Sequence, residues 1–268
     1  MCLSRVLIES NDAVILKRQV FDEKGSLTGS TLQLSDRSVT TAVVLSGGEG
    51  VRLKPITNDI PKGLVKVGGK PLLQWVIEWL RDSGVLQIVL GVAYLKDHIT
   101  QFFEDGSKFG VNIRYSVHTV EGGTAEGFKL AITRHVKDRI FFALNGDQIT
   151  DLNLRSLLHH HEDKRPIATI GVMHPRLPFG LVDVDENDNC NGFTEKPVVK
   201  NIFCSTGIYV FDQKILGYLP DRGDVEKTTF PRLSDERKLR AYRHLGSFVT
   251  VNSLRELEEA EAQLGQDH

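Results

Sequence analysis

The stretch "TAVVLSGGEGVRLKPITNDIPKGLVKVGGKPLLQWVIEWL", residues 41–80, decides how the rest of the chain reads. It opens on Thr41–Leu45, an apolar run of strand length and too continuous to leave one face in water, which predicts a buried strand. The strand runs into Gly47, Gly48 and Gly50, where missing side chains let the backbone turn tightly and present bare N–H groups to an anion. Arg52 and Lys62 follow, two fixed positive charges able to converge on a polyphosphate. From Pro71 to Gly84 the apolar residues of "PLLQWVIEWLRDSG" share one broad face, which predicts a helix with Pro71 in its first turn and Gly84 as its stop. Glycines alone permit a plain turn before a helix. Two well-known phosphate motifs fail on spacing. A dinucleotide fingerprint needs a third glycine where Leu53 stands. "GLVKVGGKP" (63–71) is a residue too long for a Walker loop and has Pro71 where the metal-binding hydroxyl belongs.

Downstream, "LQIVLGVAY" (86–94), "NIRYSVH" (112–118) and "RIFFALNG" (139–146) read as strands, separated by helical stretches around Ile99–Phe103 and Phe128–Val136. Strands this apolar are expected to be covered on both faces, as in a largely parallel α/β sheet. The second half crowds its strands together: "IATIGVMH" (167–174), "GLVDVDE" (180–186), "NGFTEK" (191–196) and "FCSTGIYVF" (203–211), with "ENDNCNG" (186–192) as a hairpin turn. A helical "RELEEAEAQL" (255–264) closes it, and the expectation is an α/β nucleotide half capped by a mixed half. Residues 1–40 read as an N-terminal extension of short strands, "SRVLIES" (4–10) and "AVILKRQVF" (13–21), with "DEKGSLTGS" (22–30) as a turn-rich break. The main domain is then 41–268, and the extension is expected to be dispensable for the chemistry.

Composition narrows the class of function. The 268 residues suit one large core, and 40% apolar with 25% charged is ordinary globular usage. A formal charge of −2 provides no broad basic field, so no nucleic-acid partner is expected and a small anionic substrate must be held by local cations and amides. Cys2, Cys190 and Cys204 form no Cys-x-x-Cys pair, which argues against a disulfide scaffold or zinc site. No apolar run approaches the ~18 residues that span a bilayer. Asp12, Lys17 and Arg18 interrupt the N-terminal apolar stretches, so neither a membrane partner nor a signal peptide is expected, and a cytoplasmic location fits.

At this point residues 41–80 resemble the signature of the sugar-1-phosphate nucleotidyltransferases, in particular members like the mannose-1-phosphate guanylyltransferases. The resemblance rests on an apolar strand, a Gly-Gly-x-Gly turn, Arg-Leu-x-Pro-x-Thr, then Pro-Lys and Lys-Pro before a helix. It continues in order through "GGTAEG" (122–127), "LNGDQ" (144–148), "FTEKP" (193–197), "STGIYVF" (205–211) and "GSFVTVNSLRELEEAE" (246–261). It implies a three-layer α/β/α fold of Rossmann-like, GT-A-like type, with a mixed, mainly parallel sheet. It also implies an enzyme that transfers a nucleotidyl group from a nucleoside triphosphate to a sugar 1-phosphate and releases pyrophosphate, with Mg²⁺ as cofactor. No left-handed β-helix domain, which some members carry, is expected before the end at His268. A homo-oligomeric assembly stays open.

The resemblance assigns roles residue by residue. Leu45, Gly47, Gly48 and Gly50 cradle the nucleotide, Arg52 grips the β- and γ-phosphates, and Lys62 meets the α-phosphate. Asp147, beside Gly146 in "LNGDQ", becomes the Mg²⁺ ligand; a lone Asp after a strand otherwise reads as a turn residue or cap. Glu195 meets sugar hydroxyls and Lys196 the sugar phosphate. Ser205 and Thr206 stand where the family usually has Asn-Ala, so the sugar is not named by them. Gly123 and Thr124 mark the region that touches the base. The pattern there is closer to guanylyl- and uridylyl-transferring members, with GTP and mannose 1-phosphate or a heptose relative expected. His118 stands where a Gln or Glu often reads the base, and equally fits an ordinary strand-end histidine.

Other features are set aside. "VDVDENDN" (182–189) lacks the glycine and the final carboxylate of an EF-hand, and an Asp/Asn-rich hairpin turn accounts for it. His159, His160 and His161 are adjacent and cannot face one site on a helix, so a solvated helix end is expected. Two competing functions remain: a sugar-nucleotide-binding or regulatory homologue, motivated by Val51 and Thr250, and a glycosyltransferase built on Asp183 and Asp185. Many relatives carry a second metal-binding aspartate in the tail, where this chain has Thr250, with Asn252 two residues on.

Overall fold

The structure, a computed structural model, describes residues 3–10, 13–21, 27–34 and 39–264; Cys2 and the turn expected at 22–26 lie outside them. Residues 1–38 and 39–268 form two compact units. The first is an antiparallel meander of β1 (Leu3–Ser10), β2 (Ala13–Phe21) and β3 (Leu27–Leu34). Leu27–Ser30, expected in a turn, belongs to β3, because backbone pairing with β2 extends through Ser30 and Gly29 to Leu27.

In chain order the second unit begins with β4 (Thr41–Leu45), the short pair β5 (Lys66–Val67) and β6 (Lys70–Pro71), α1 (Leu72–Asp82) and β7 (Gln87–Val92). It continues through α2 (Lys96–Phe103), β8 (Asn112–Val117), α3 (Gly123–His135), β9 (Ile140–Asn145), β10 (Gln148–Thr150), α4 (Leu154–Lys164) and β11 (Ala168–Met173). Last come β12 (Leu181–Val184), β13 (Cys190–Thr194), β14 (Cys204–Asp212), α5 (Thr229–Asp235), β15 (Leu239–Arg243), β16 (Phe248–Thr250) and α6 (Leu254–Leu264). Pro71 sits at the N-cap of α1 rather than in its first turn.

One seven-stranded sheet, ordered β15-β11-β14-β9-β4-β7-β8, organises the unit. β9, β4, β7 and β8 are mutually parallel, and β14 runs antiparallel to both its neighbours. Alternation along β4 sends Ala42 and Val44 to one face, packed with α1, α2 and α4, and Val43 and Leu45 to the other, packed with α3 and α5. This is the three-layer fold that the sequence implied. α1 buries Leu73, Val76, Ile77 and Leu80, the recurrence of one helix face. Among the described residues no helix is long and apolar enough to cross a membrane.

The second half does not cap the first. β14 puts Ile208 and Val210 into one core and Tyr209 and Phe211 into the other, so it has no face to give to solvent and must lie inside the sheet. β16 pairs with β10 outside that sheet, and the β12–β13 hairpin also stands outside it, exposed along both strands. Its turn is held by Asp185, which accepts from the backbone of Asn187 and Asn189 and from the Asn189 amide. These bonds, the Asn189 side chain first, hold the Asp185 carboxyl below its usual pKa. Cys190–Gly192, expected in that turn, already belong to β13.

His161 is a second correction. It is 1% exposed, because helical spacing from Leu154, Leu157 and Leu158 turns it onto the buried face of α4, where Nδ1 meets Thr169 Oγ1 at 2.9 Å. Burial pushes its pKa down to about 4; Arg139 and His160 add to the shift and Asp212 opposes it. A folded-state pKa below the ordinary 6.5 means a contribution that is complete above pH 6.5 and lost as pH falls toward 4. The loss should be on the order of 3 kcal/mol across that window. Urea denaturation at pH 7, 5.5 and 4.5 should show this decline, flattened in His161→Gln; an unchanged slope in the variant would assign the decline elsewhere.

Candidate active site

β4 is the switch point of the sheet. The chain leaves it for β7 and β8 on one side and returns through α3 to β9 on the other, which opens a crevice beyond the carboxyl ends of the strands. A cleft of about 390 Å³ lies there. Its walls include Leu45, Gly47, Gly48, Gly50, Arg52, Lys62, His118, Gly123, Thr124, Gly146 and Asp147. Eleven expected site residues from four separate segments thus meet in one place.

The glycine loop divides its labour. Gly50 has φ 63°, a left-handed conformation that favours glycine, and its carbonyl accepts from the Thr57 hydroxyl at 2.8 Å. A Cβ on Gly47 would stand 2.5 Å from His118 Nε2, so that glycine makes room for the imidazole. A Cβ on Gly48 would meet no protein atom within 4 Å, which leaves bare backbone toward the cleft. His118 Nδ1 lies 2.9 Å from the Thr119 carbonyl, which only accepts, so in the neutral ring Nε2 carries the lone pair. That Nε2 is buried with no partner among the described residues, and such an atom typically costs about 1–3 kcal/mol until something donates to it. Its neighbour strand-end is held by Glu126, which accepts from the Thr119 hydroxyl and N–H, bonds that hold its carboxyl below the usual pKa.

Across the cleft the Lys62 ammonium donates to Asp147 Oδ2 at 2.6 Å and to Asn252 Oδ1 at 2.7 Å. The tail reaches this point because β16 pairs with β10, Thr250 opposite Gln148, and Val251 N–H donates to the Asp147 carbonyl. Asn252 therefore faces the cleft. Thr250 does not line it; its hydroxyl is turned toward Glu256. A carboxylate and an amide oxygen converging on one cation suit magnesium, a hard ion that takes few protein ligands and completes its shell with phosphate and water. No group of three or more His, Cys, Asp or Glu that could hold a metal exists among the described residues.

Four expected residues lie elsewhere. Thr206 is buried, its hydroxyl donating to the Gly171 carbonyl at 2.9 Å, because alternation on β14 turns it inward. Ser205 is exposed, its oxygen accepting from Gly207 N–H. Glu195 and Lys196 follow β13; Lys196 has φ 45°, an uncommon left-handed value for a side-chain-bearing residue, and its carbonyl accepts from Arg176. Thr124 is in the cleft wall with its hydroxyl committed: it donates to Glu226 and accepts from Val225 N–H. Several cleft residues lie outside the expected set, among them Ser46, Asn145, Asp224 and Asn252. Asn252 stood out only as a neighbour of Thr250, and nothing local marks Asp224.

A family model described as "Nucleotidyl transferase" matches residues 41–246. The chain is 34% identical over 215 residues to a UTP–glucose-1-phosphate uridylyltransferase of Synechocystis sp., covering 72% of this chain and 55% of that protein. It is 33% identical to the mannose-1-phosphate guanylyltransferase catalytic subunit beta of Drosophila melanogaster, covering 79% and 59%. It is also 34% identical to a D-glycero-α-D-manno-heptose 1-phosphate guanylyltransferase of Campylobacter jejuni, covering 75% and 88%. The chain thus spans little more than half the length of the first two. HddC from Yersinia pseudotuberculosis, solved with GMP-PN, shares the fold at TM-score 0.65 and 23% identity over 84% of this chain and 99% of that one.

The two glycines make a paired test. Gly48→Ala should keep thermal stability within about 0.5 kcal/mol, since its Cβ meets open space, yet weaken nucleotide binding. Gly47→Ala should lower both, because the His118 ring must move. Calorimetric unfolding with nucleotide titration separates them, and equal stability losses would refute the division.

Proposed function

This chain belongs to the nucleotidyl transferase family, and on that premise we propose that it transfers a nucleotidyl group from a nucleoside triphosphate to a sugar 1-phosphate. GTP is the proposed donor and mannose 1-phosphate or a heptose relative the acceptor, a choice supported by guanylyltransferases among its relatives. The observation that carries the reading is the convergence of a bare glycine backbone, Arg52, Lys62 and Asp147 on one cleft.

In the proposed reaction a phosphate oxygen of the sugar 1-phosphate attacks the α-phosphorus. The new P–O bond forms as the bond to the β-phosphate oxygen breaks, and pyrophosphate leaves. Such a transfer needs alignment and charge neutralisation more than covalent help. The glycine loop amides bind the nucleotide, Arg52 takes the β- and γ-phosphates as a fork, and Lys62 meets the α-phosphate. Magnesium, held by Asp147 with Asn252 beside it, would supply further positive charge at the phosphates. Lys62 must then leave its seat between those two oxygens. Glu195 and Lys196 are the proposed sugar-side contacts, and Lys196's left-handed backbone is the observation that supports a site there.

A second reading, a sugar-nucleotide-binding homologue with weak turnover, draws on Val51, an apolar side chain 59% exposed at the cleft wall. A pyrophosphate-release assay across triphosphates and sugar 1-phosphates separates the two: binding with no release favours the second. Asp147→Asn and Arg52→Ala should each reduce release by roughly 10²-fold while circular dichroism stays unchanged, as expected for preorganised charge stabilisers. Near-normal kcat/KM in both would mean the cradle is misplaced.

A further inference from the structure

We propose that Asp224 is the guanine-selecting residue of the cleft, accepting hydrogen bonds from the N1–H and N2 amino group of the base. This rests on the nucleotidyl-transfer reading and adds to it a residue that sets the choice of triphosphate.

The strand order gives the cleft its two ends. Asp147, Gly146 and Lys62 gather at the β9 side of β4, whereas Val120, Gly123, Thr124 and Asp224 gather beyond β8, at the start of α3. Phosphates drawn to Arg52, Lys62 and the glycine loop leave the ribose over Gly47 and His118 and put the base against the β8 end. Asp224 is the carboxylate of the lining at that end.

Its loop is built rather than loose. Gly223 N–H donates to the Gly122 carbonyl at 2.9 Å and the Gly223 carbonyl accepts from Ala125 N–H at 2.8 Å. Val225 N–H donates to Thr124 Oγ1 at 2.9 Å, and that hydroxyl donates in turn to Glu226 Oε2 at 2.9 Å. Gly123, at φ 66°, has no room for a side chain: its Cβ would stand 2.5 Å from the Gly223 carbonyl and 2.8 Å from Asp224 Oδ1. Asp224 is thus clamped against the first turn of α3 from both sides along the chain, the condition for precise recognition. Lys227 donates to Oδ2 at 2.7 Å, and Oδ1 accepts nothing among the described residues. The side chain is 38% exposed, so it stays hydrated and open to a ligand.

Chemistry then selects the base. A fixed carboxylate offers two acceptor oxygens side by side. Guanine presents two adjacent donors on one edge, N1–H and the N2 amino group. Uracil and thymine flank one N–H with two carbonyls, which the carboxylate repels; cytosine and adenine place a ring acceptor beside the amino group. Only guanine satisfies both oxygens, and a bidentate pair of this type is worth roughly ten- to a hundred-fold in discrimination.

The test is equilibrium binding of GTP, ITP and UTP to the full chain in the presence of Mg²⁺, with wild type, Asp224→Asn and Asp224→Ala. ITP differs from GTP only in lacking the N2 amino group. Wild type should prefer GTP over both by roughly ten-fold or more, and both variants should bring the three within about three-fold of each other. The wild-type comparison of GTP with ITP stands even where a variant fails to fold. Equal affinity for GTP and ITP in wild type, or a preserved gap in a folded Asp224→Asn, overturns the assignment. A loss in the variants that is uniform across the three triphosphates also overturns it, and points to the ribose instead. A wild type that binds UTP as tightly as GTP removes Asp224's role and leaves the reaction standing. A wild type that binds no triphosphate removes both.

Discussion

Everything at the cleft depends on β4 being buried along its whole length and paired on both edges. A strand with no free edge and no free face cannot slip in register without unburying Val43, Val44 and Leu45 together. The residue that follows it is fixed just as firmly: Ser46 N–H donates to the Gly91 carbonyl at 2.7 Å, and Gly146 N–H to the Leu45 carbonyl at 2.8 Å. The glycine loop therefore starts from a rigid origin, and the ends of β7, β8 and β9 stand at set positions around it. The chemistry sits on loops, but the sheet decides where those loops are.

This explains which parts of the site were legible in the sequence. Gly47, Gly48, Gly50, Arg52 and Lys62 are close in the chain to β4, so local pattern and a family resemblance were enough to find them. Asp147 follows β9, whose apolar run was equally plain. Thr206 and Ser205 lie on β14, where the motif gave position in the chain but not which side chain turns outward; alternation buries Thr206 against Gly171. His161 was misread because three adjacent histidines suggest a polar end. The leucines at one helical face decide instead that one of them is inside.

Asp224, and the choice of Asn252 over Thr250, were hidden for a different reason. Asn252 and Asp224 are each brought to the cleft by a contact with no local signature. The three-residue ladder of β10 with β16 delivers Asn252 to a lysine 190 positions earlier in the chain. The Thr124 hydroxyl, 101 positions from Val225, fastens the loop that carries Asp224. Short ladders and single hydroxyls leave almost no trace in periodicity, because their meaning depends on a partner that only the fold supplies. Thr124, expected to mark the region that touches the base, lines the cleft and also fastens this loop through its hydroxyl.

The charges of the cleft complete the picture. Its charged lining consists of Arg52 and Lys62 against Asp147 and Asp224, two cations and two carboxylates among the described residues. Lys62 pairs with Asp147 at 2.6 Å, so these two opposite charges balance each other within the cleft. A highly charged triphosphate entering such a cleft meets little net attraction beyond Arg52 and the loop amides. Under the proposed reaction, a divalent ion arriving with the triphosphate would help to meet its charge. Held by Asp147 as proposed, such an ion would neutralise phosphate oxygens and would compete with Lys62 for that carboxylate. A freed ammonium next to the reacting phosphorus is worth far more than one paired at rest, since it acts where charge develops. On the proposed reading, the pairing of Lys62 with Asp147 and Asn252 would hold positive charge in reserve for substrate and metal. On that reading, a chain whose net charge is only −2 would need no basic field to bind a triphosphate.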